Sequence, residues 1–591
     1  MCAKAPEAPA PPIRRSATHG TPELRQLPFV PSPPLAAKPA SAPATVRRRV
    51  PLPTSPAEVR SPSAPSTPTT ARVSLARKRH ALVHRHADGF ALTRHYESVR
   101  PLGEGSFGRV ELVKERSTGQ ERVCKKVRTM NMRQATLELM KKEVRVLAQL
   151  DHPHIVKLHE YAEDVERAQL ILVLEYVQGG SCAQLLEKEG GGLNEALVAR
   201  LVRQLLSAVA HCHEHGIVHR DIKPANMMLS KSSATRSPDC KVIDFGLAAS
   251  SAPCEEAEGG EESGDSSRGR GWGKCVGTPA YMAPEVVDRT SSCGSKVDLW
   301  SVGVTCLELL TGLRLFQGEN AQAIFAKIRS FRGPESLFSS MGRSPAWRRL
   351  SSDARDFVQW LLQPDPARRP SAAEALAHPW MVQVKATASG LAAQVVQSLS
   401  SYARAPPVVR DCLLAVAAGV NAEDTKGLDR LFMGLESDGL GRISWKSLAA
   451  AIGEEVGHGE DKVDIARVLQ ATDLVSDGEV SYTEFVAACL HSRFSSVRDL
   501  AARAFSVLDD DRDGKLNAQD IQEAFGRSDG SFVGSLPQDR AIGLDEWCER
   551  VHLAAGGASP GKASRLRLCV AGSRTLARHA GPWASARYGG S

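Results

Sequence analysis

The sequence predicts an α+β protein in two folded parts with disordered ends: a small sheet-rich lobe beside a larger helical lobe, then an all-helical module. Three observations predict it. The 591 residues exceed one ordinary core, since a domain averages ~150 residues. From Phe90 to about Met381, short β-branched runs such as Ala168 to Val177 precede longer helical periodicities. Between 421 and 555, helical patterns are punctuated by Asp/Gly-rich loops. The 42% hydrophobic and 24% charged residues suffice for such interiors. No stretch approaches the ~18 uninterrupted apolar residues of a membrane-spanning helix. The 13 Cys are too scattered for a disulfide scaffold, and their odd number favours a reducing compartment. Membrane-spanning, collagenous and small disulfide-rich classes are therefore excluded.

Residues 1–88 come first. Of 35 Pro, 17 precede Thr69, mixed with Ala, Ser and Arg. Pro removes backbone donors and blocks helices, so a disordered arm is expected. The runs Arg47-Arg48-Arg49 and Arg77-Lys78-Arg79-His80 suit nuclear import or contact with anionic lipid; the plainer reading is a solvated basic tail. Cys2 stands where N-myristoylation needs Gly, and a palmitate there would rest on one cysteine. No apolar core of a secretory signal is present. The expected location is cytoplasmic, with nuclear or membrane-peripheral placement as the alternatives.

The sheet-rich lobe opens on Gly103, Gly105, Ser106, Phe107, Gly108 and Val110, a GxGxxGxV run. Glycines let a turn approach phosphates, whose oxygens its N–H groups can bond. Alone the run is also an ordinary Gly-rich hairpin. Lys125 follows in the strand-like Val123 to Val127. A Lys on a buried strand needs an anionic partner, and Glu143 can supply one from the helical pattern Met132 to Leu150. A second helical pattern, Leu193 to His215, carries Leu197, Leu201, Leu205 and Val209 about one turn apart. Then come His219-Arg220-Asp221-Ile222-Lys223-Pro224-Ala225-Asn226, Asp244-Phe245-Gly246 after Val242-Ile243, and Ala283-Pro284-Glu285.

Together these resemble the protein-kinase signatures, in the family's order, across residues 96–381. Later landmarks include Asp298-Leu299-Trp300, Arg368-Arg369-Pro370 and His378-Pro379-Trp380. The resemblance implies a two-lobed fold and transfer of the ATP γ-phosphate to protein Ser/Thr hydroxyls, by positioning and electrostatics. It gives Lys125 the α- and β-phosphates, with Glu143 orienting it. Asp244 and Asn226 would ligate Mg²⁺, which prefers oxygen. Asp221 would accept the substrate's proton and Lys223 steady the phosphate. Thr278 would bond both. Glu175 to Val177 would be the hinge under adenine, with Leu174 beside it. Glu285 and Arg369 match a buried structural ion pair. Two departures stand out. Ala225 and Ser181-Cys182 replace acidic positions, which puts a preference for Arg upstream of the target in doubt. The long segment from Asp244 to Glu285 carries an acidic insert, Cys254 to Glu262. It is either a solvated loop, or its carboxylates engage Arg220 in place of a phosphate.

Beyond the junction, Asp509 to Asp520 forms a twelve-residue loop. Asp509, Asp511, Asp513, Asn517 and Asp520 supply oxygen side chains, Gly514 makes the turn, and Lys515 stands where a backbone carbonyl ligates. This is an EF-hand pattern for Ca²⁺, with Asp520 one methylene shorter than the usual Glu. A second loop has Asp473, Asp477, Gly478, Ser481 and Glu484, but Val475 wastes a ligand position. A first, with Glu436, Asp438, Leu440, Gly441 and Ser447, is expected to hold no useful ion. A fourth keeps Ile542 and Glu546, with Pro537 and Arg540 at key positions. Each loop has an apolar eighth residue, Ile443, Val480, Leu516 or Ile542, expected to pair the loops. One or two of the four hands should bind Ca²⁺.

Protein kinase plus four such hands (a calmodulin-like module) resembles the calcium-dependent protein kinases of plants and protists. The resemblance makes residues 387–418 an autoinhibitory junction, lifted off the catalytic part by the Ca²⁺-bound hands. Val409, Cys412, Leu413 and Val416 share a helical face there, Pro406-Pro407 should break an earlier helix, and the family's lysines are largely absent. The alternatives are a constitutive kinase with vestigial hands and a catalytically silent Ca²⁺-tuned scaffold; the complete set Lys125, Glu143, Asp221, Asn226 and Asp244 stands against the last.

Net charge is +8, but the arm holds 14 basic and 4 acidic side chains and the 556–591 tail 6 and none, which leaves −8 for the middle. The tail is expected to be disordered. Weak membrane or anionic contacts belong to the two ends, no specific nucleic-acid contact is expected, and the chain should be a monomer.

Overall fold

The structure, a computed structural model, describes residues 84–86, 92–105, 108–130, 141, 144–164, 167–230, 238–245, 248–250, 277–288, 294–384, 393–421, 425, 427–436, 440–456, 464–474, 477–494, 496–509, 513–517, 520 and 540–555. Cys2, both basic runs, Ser106, Phe107, Glu143, Gly246, the acidic insert, Asp438, Val475, Asp511, Pro537 and the basic tail lie outside the described residues.

Six strands form the first lobe's sheet: β1 (His84–His86), β2 (Tyr96–Gly105), β3 (Gly108–Glu115), β4 (Glu121–Arg128), β5 (Leu158–Asp164) and β6 (Gln169–Glu175), in the order β1-β5-β6-β4-β3-β2. β2 to β6 pair antiparallel, and β1 adds parallel to β5. β1 falls within the segment expected to be a disordered arm: composition hides an edge strand that only β5 defines. β6 reads Gln-Leu-Ile-Leu-Val-Leu-Glu, apolar on both faces because both are covered. Leu170 and Leu172 face the main core, while Ile171 and Val173 join Tyr96, Val113, Cys124 and Ala162 in a smaller cluster opposite. That is the two-residue period of a pleated strand.

The second lobe is built on two long helices. Asn194 caps Glu195–Glu214 by accepting the N–H groups of Ala196 and Leu197, and Leu201, Val202, Leu205 and Leu206 form its buried face. Lys296–Thr311 is buried along nearly its whole length, with Trp300 packed on Phe316 and Phe331. A loop bearing His152 and His154 ties the lobes. His154 donates Nδ1–H to the Cys240 carbonyl at 2.8 Å, and burial lowers its pKa to about 4. A neutral buried His stabilises the fold above its ordinary ~6.5, and that contribution is lost as pH falls toward 4. The urea midpoint of the catalytic part should therefore fall between pH 7.5 and pH 5, and His154→Gln should flatten the dependence. An equally steep fall in the variant would remove His154 as its source.

One hydrophobic core runs from Val127 to Met381 and a second from Val395 to Val551. The junction belongs to the second. Its helices, Ala393–Arg404 and Pro407–Gly419, break at Pro406, with Pro407 at the first helical position, where its missing N–H costs nothing. Val395, Val396, Leu399, Val409, Cys412, Leu413 and Val416 are buried among the hand helices. The apolar face of Val409, Cys412, Leu413 and Val416 is thus spent inside the core formed with the hand helices.

The four hands make two pairs. Arg442–Ser444 pairs antiparallel with Glu479–Ser481, setting Ile443 against Val480. Lys515–Leu516 pairs with Ile542–Gly543, setting Leu516 against Ile542. Among the described residues no helix is long and apolar enough to cross a membrane.

Candidate active site

The catalytic loop hangs from one buried carboxylate. Asp298 is fully buried at the start of Lys296–Thr311 and accepts the backbone N–H of His219 (2.9 Å) and of Arg220 (2.8 Å), together with His213 Nε2–H (2.8 Å). Burial raises its pKa, but the His213 bond and the neighbouring histidines outweigh it, so it lies below the ordinary value. This grip accompanies a left-handed Arg220, at φ 68°, a strained state that needs surrounding structure to hold it. In the sequence Asp298 is only a landmark. Nothing local signals its role, since its partners lie nearly eighty residues upstream.

Four donors converge on Asp221. Its Oδ1 accepts Thr278 Oγ1–H (2.7 Å) and Thr278 N–H (3.2 Å); its Oδ2 accepts Lys223 Nζ (2.7 Å) and Asn226 Nδ2 (3.0 Å). Lys223 also donates to Thr278 Oγ1 at 2.7 Å. Asp221, Lys223, Asn226 and Thr278 are thereby brought to one point. Asn226 spends its amide N–H groups on Asp221 Oδ2 and on the Asp221 carbonyl, which leaves the amide oxygen as the atom that could face a cation.

Lys125, on β4, reaches Asp244 Oδ1 at 2.9 Å. Burial raises the Asp244 carboxyl, and the Lys125 ammonium and its hydrogen bond outweigh that, helped by His219 and Lys223, so the group sits below the usual carboxylate range. Asp244 is also left-handed, at φ 64°. His219 donates Nε2–H to the Ile243 carbonyl (3.2 Å), and its ring lies 4.6 Å from that of Phe245, so the catalytic loop and the Asp244 turn are fastened together. The oxygens of Asp244 and Asn226, with a lysine already offsetting charge, suit a hard divalent cation such as Mg²⁺.

The Gly-rich run expected to approach phosphates forms the β2–β3 hairpin, where Gly103 pairs with Val110 and Gly105 with Gly108. Gly108 is needed for packing: a Cβ there would overlap the Lys126 carbonyl on β4. At Gly103 a Cβ would meet nothing. The Glu175 side chain is turned from the cleft and buried, bonded to Lys241 Nζ (3.2 Å) and Lys157 N–H (3.2 Å). Only its backbone, with that of Val177, is left to serve as a hinge. Leu174 is partly buried against the main core.

On the substrate side, Ser181 is committed to a capping box with Gln184, accepting its N–H at 3.2 Å. Glu308 is engaged by Arg314 (3.1 Å) and by Tyr281 O–H (2.5 Å). Neither Ser181 nor the buried Glu308 carboxylate is open to a basic peptide here.

In the hands, the first loop residue accepts the N–H of the sixth each time: Glu436 from Gly441 (2.8 Å), Asp473 from Gly478 (2.9 Å) and Asp509 from Gly514 (3.1 Å). The twelfth residue holds the N–H of the ninth: Glu484 that of Ser481 (2.9 Å), and Asp520 that of Asn517 (2.8 Å). Asp513 bonds the Lys515 N–H, and Asp477 the Glu479 N–H. Asp473 and Glu484 are only 2% and 4% exposed. Burial, with the Asp473 charge adding, pushes Glu484 up to about 7. Such buried carboxyls fit a divalent cation, although among the described residues no three His, Cys, Asp or Glu side chains cluster. The fourth loop carries its own cation: Arg540 bonds Glu546 through two nitrogens, at 2.8 and 2.9 Å, and Arg550 adds two more bonds, at 2.9 and 3.1 Å. These hydrogen bonds hold Glu546 at about 2.

A family model described as "Protein kinase domain" matches residues 96–381. Calcium-dependent protein kinase 20 of Oryza sativa subsp. japonica is 30% identical over 450 residues, 75% of this chain and 76% of that protein. Calcium-dependent protein kinases 8 and 7 of Arabidopsis thaliana are 29% and 27% identical, over 73% and 81% of this chain and 76% and 86% of their own lengths.

Proposed function

Because the chain belongs to the calcium-dependent protein kinase family and is a serine/threonine protein kinase, we propose a specific division of labour among its residues and a Ca²⁺-set activity. The observation that carries the catalytic reading is the four-donor cluster on Asp221. A carboxylate fixed by Thr278, Lys223 and Asn226 is positioned to take the proton from an incoming Ser or Thr hydroxyl. Lys223, already at the base, lies ready for the phosphoryl oxygens. Lys125 binds the ATP α- and β-phosphates from the sheet side. Asp244 and Asn226 would hold Mg²⁺, which neutralises phosphate charge when bound. Thr278 orients the base.

The regulatory reading rests on the second and third loops, where Asp473, Asp477 and Glu484, and Asp509, Asp513, Asp520 and the Lys515 carbonyl, would hold Ca²⁺. When bound, the ion supplies the positive charge that Arg540 supplies permanently in the fourth loop. Glu484 now holds the N-terminal turn of its exiting helix, Tyr482–Leu490, so turning it to an ion would change how that helix starts. The junction helices are packed on the same core and would follow. Glu484→Gln should raise the Ca²⁺ concentration for half-maximal activity at least about tenfold, as loss of even an outer-shell partner can.

One observation favours a constitutive kinase instead: the junction is already gathered into the regulatory core while the catalytic side chains are assembled. Phosphate transfer to a mixed Ser/Thr peptide library, with Ca²⁺ and with chelator, separates the readings. Transfer only with Ca²⁺ supports regulation; equal transfer in both supports the constitutive kinase; none in either would leave only the scaffold.

A further inference from the structure

The first EF-hand-like loop is poor in calcium ligands, yet the structure gives it close contacts with the catalytic part. Leu440 stands at the fifth loop position, where a binding loop has an oxygen side chain. Here it packs against the main catalytic core, and its carbonyl accepts His211 Nδ1–H at 2.9 Å. Gly441 is left-handed at φ 75°, as are Gly478 and Gly514 in the next two loops. A Cβ at Gly478 or Gly514 would meet nothing. At Gly441 it would collide with the His152 ring and lie 3.0 Å from His211 Nδ1. Arg442 pairs with Glu214, at the end of the catalytic helix Glu195–Glu214, and with Glu479 of the second hand.

We propose that Leu440-Gly441-Arg442 is a docking plug: a loop whose metal site has been exchanged for a contact surface that seats the regulatory part on the catalytic part. This goes beyond the calcium reading and does not depend on it. The leucine, out of place in a metal loop, is the residue an apolar seat requires.

Two further contacts place regulatory helix ends against catalytic charges. Asp151 accepts Thr483 N–H (2.9 Å) and Thr483 Oγ1–H (2.8 Å), capping Tyr482–Leu490 from outside. At the other pole Lys157 donates to the Ala417 carbonyl (3.1 Å) and Arg122 to the Gly419 carbonyl (2.8 Å), at the end of Pro407–Gly419. An anion meets a helix N-terminus and cations meet a C-terminus, both favourable to the helix dipole. Ser481 pairs with Arg442 across the loop ladder, so unseating the plug carries Thr483 away from Asp151.

The Thr483 amide is therefore a reporter. Its hydrogen exchange is measured in the full chain, in Ca²⁺ and in chelator. Asn tolerates the left-handed turn, so Gly441→Asn keeps the loop and adds the collision. Gly514→Asn makes the same change where nothing is near. The expected result is exchange at Thr483 faster by about tenfold or more in Gly441→Asn, with Gly514→Asn, compared in chelator, like wild type. Should Gly441→Asn unfold the hands, Glu214→Gln removes the Arg442 partner from the catalytic side and is expected to act in the same direction. Protection of Thr483 in neither condition in the wild type, or unchanged protection in Gly441→Asn and Glu214→Gln, overturns the proposal. A wild-type kinase indifferent to Ca²⁺ would sink the regulatory reading and leave the plug standing.

Discussion

Asp221→Asn lowers the turnover of a Ser/Thr peptide by ~10²–10⁴-fold, the range for loss of a positioned acid–base group. The change keeps the side chain's shape and removes its capacity to take a proton. It also sets an NH₂ group against donors. One carboxylate oxygen faces Lys223 and Asn226, the other Thr278, so whichever way the amide turns, one contact becomes donor against donor. Lys125 and Asp244 lie outside this cluster, so ATP binding should be nearly unaffected. The measurement is kcat and the ATP KM at saturating peptide. A kcat within tenfold of wild type would remove Asp221 from the chemistry; a collapse in ATP affinity would show a disturbed cleft instead. Thr278→Ala is the companion variant. It keeps the carboxylate and the Thr278 backbone N–H, so its effect should be smaller.

What the sequence discloses and what it hides divide along local and non-local lines. The base, its lysine and the asparagine are legible because they lie within six residues of one another. The pairing of hand loops is legible because position eight repeats as an apolar residue. Asp298, holding His219 and Arg220 from nearly eighty residues away, carries no such pattern. Neither does Asp151 capping a helix 332 residues later. Gly108 belongs to a phosphate-type run, but its lack of a Cβ is demanded by Lys126 on a neighbouring strand. In each of these cases the missing information is a tertiary partner. The strand β1 is the same lesson at the sheet edge: its pairing is set by β5, while its own surroundings are basic and close a Pro-rich arm. Arg540 differs: it stands where the other loops have their turn glycine, and its bond to Glu546, six residues on, is a local contact that a pattern of oxygen ligands does not describe.

The largest stability effect is expected at Arg369. Its side chain is fully buried, and five bonds match its five N–H donors. Nη1 and Nη2 each reach one Glu285 oxygen at 2.6 Å. The remaining donors go to the carbonyls of Gln363 (2.6 Å), Lys296 (3.0 Å) and Pro364 (2.9 Å), and the guanidinium lies over Trp300 at 5.2 Å. Removing one member of such a pair strands the other in a dry interior, and Arg369→Ala should destabilise the catalytic part by ~3–5 kcal/mol. For a domain of this size that lowers Tm by roughly 10 °C. Arg369→Lys should recover little, because an ammonium cannot fork onto both oxygens and three carbonyls together. The double variant Arg369→Met with Glu285→Leu separates two contributions. Buried ion pairs exchanged for apolar groups are often neutral in stability, so if the pair alone mattered the double variant would return to wild type. Here it also leaves three carbonyls without their donor, each worth ~1 kcal/mol or more when buried and unsatisfied. The double variant is therefore expected to stay below wild type while exceeding Arg369→Ala. Full recovery in thermal unfolding would mean that the carbonyl cage contributes nothing, and a double variant no better than Arg369→Ala would mean that the stranded Glu285 does not.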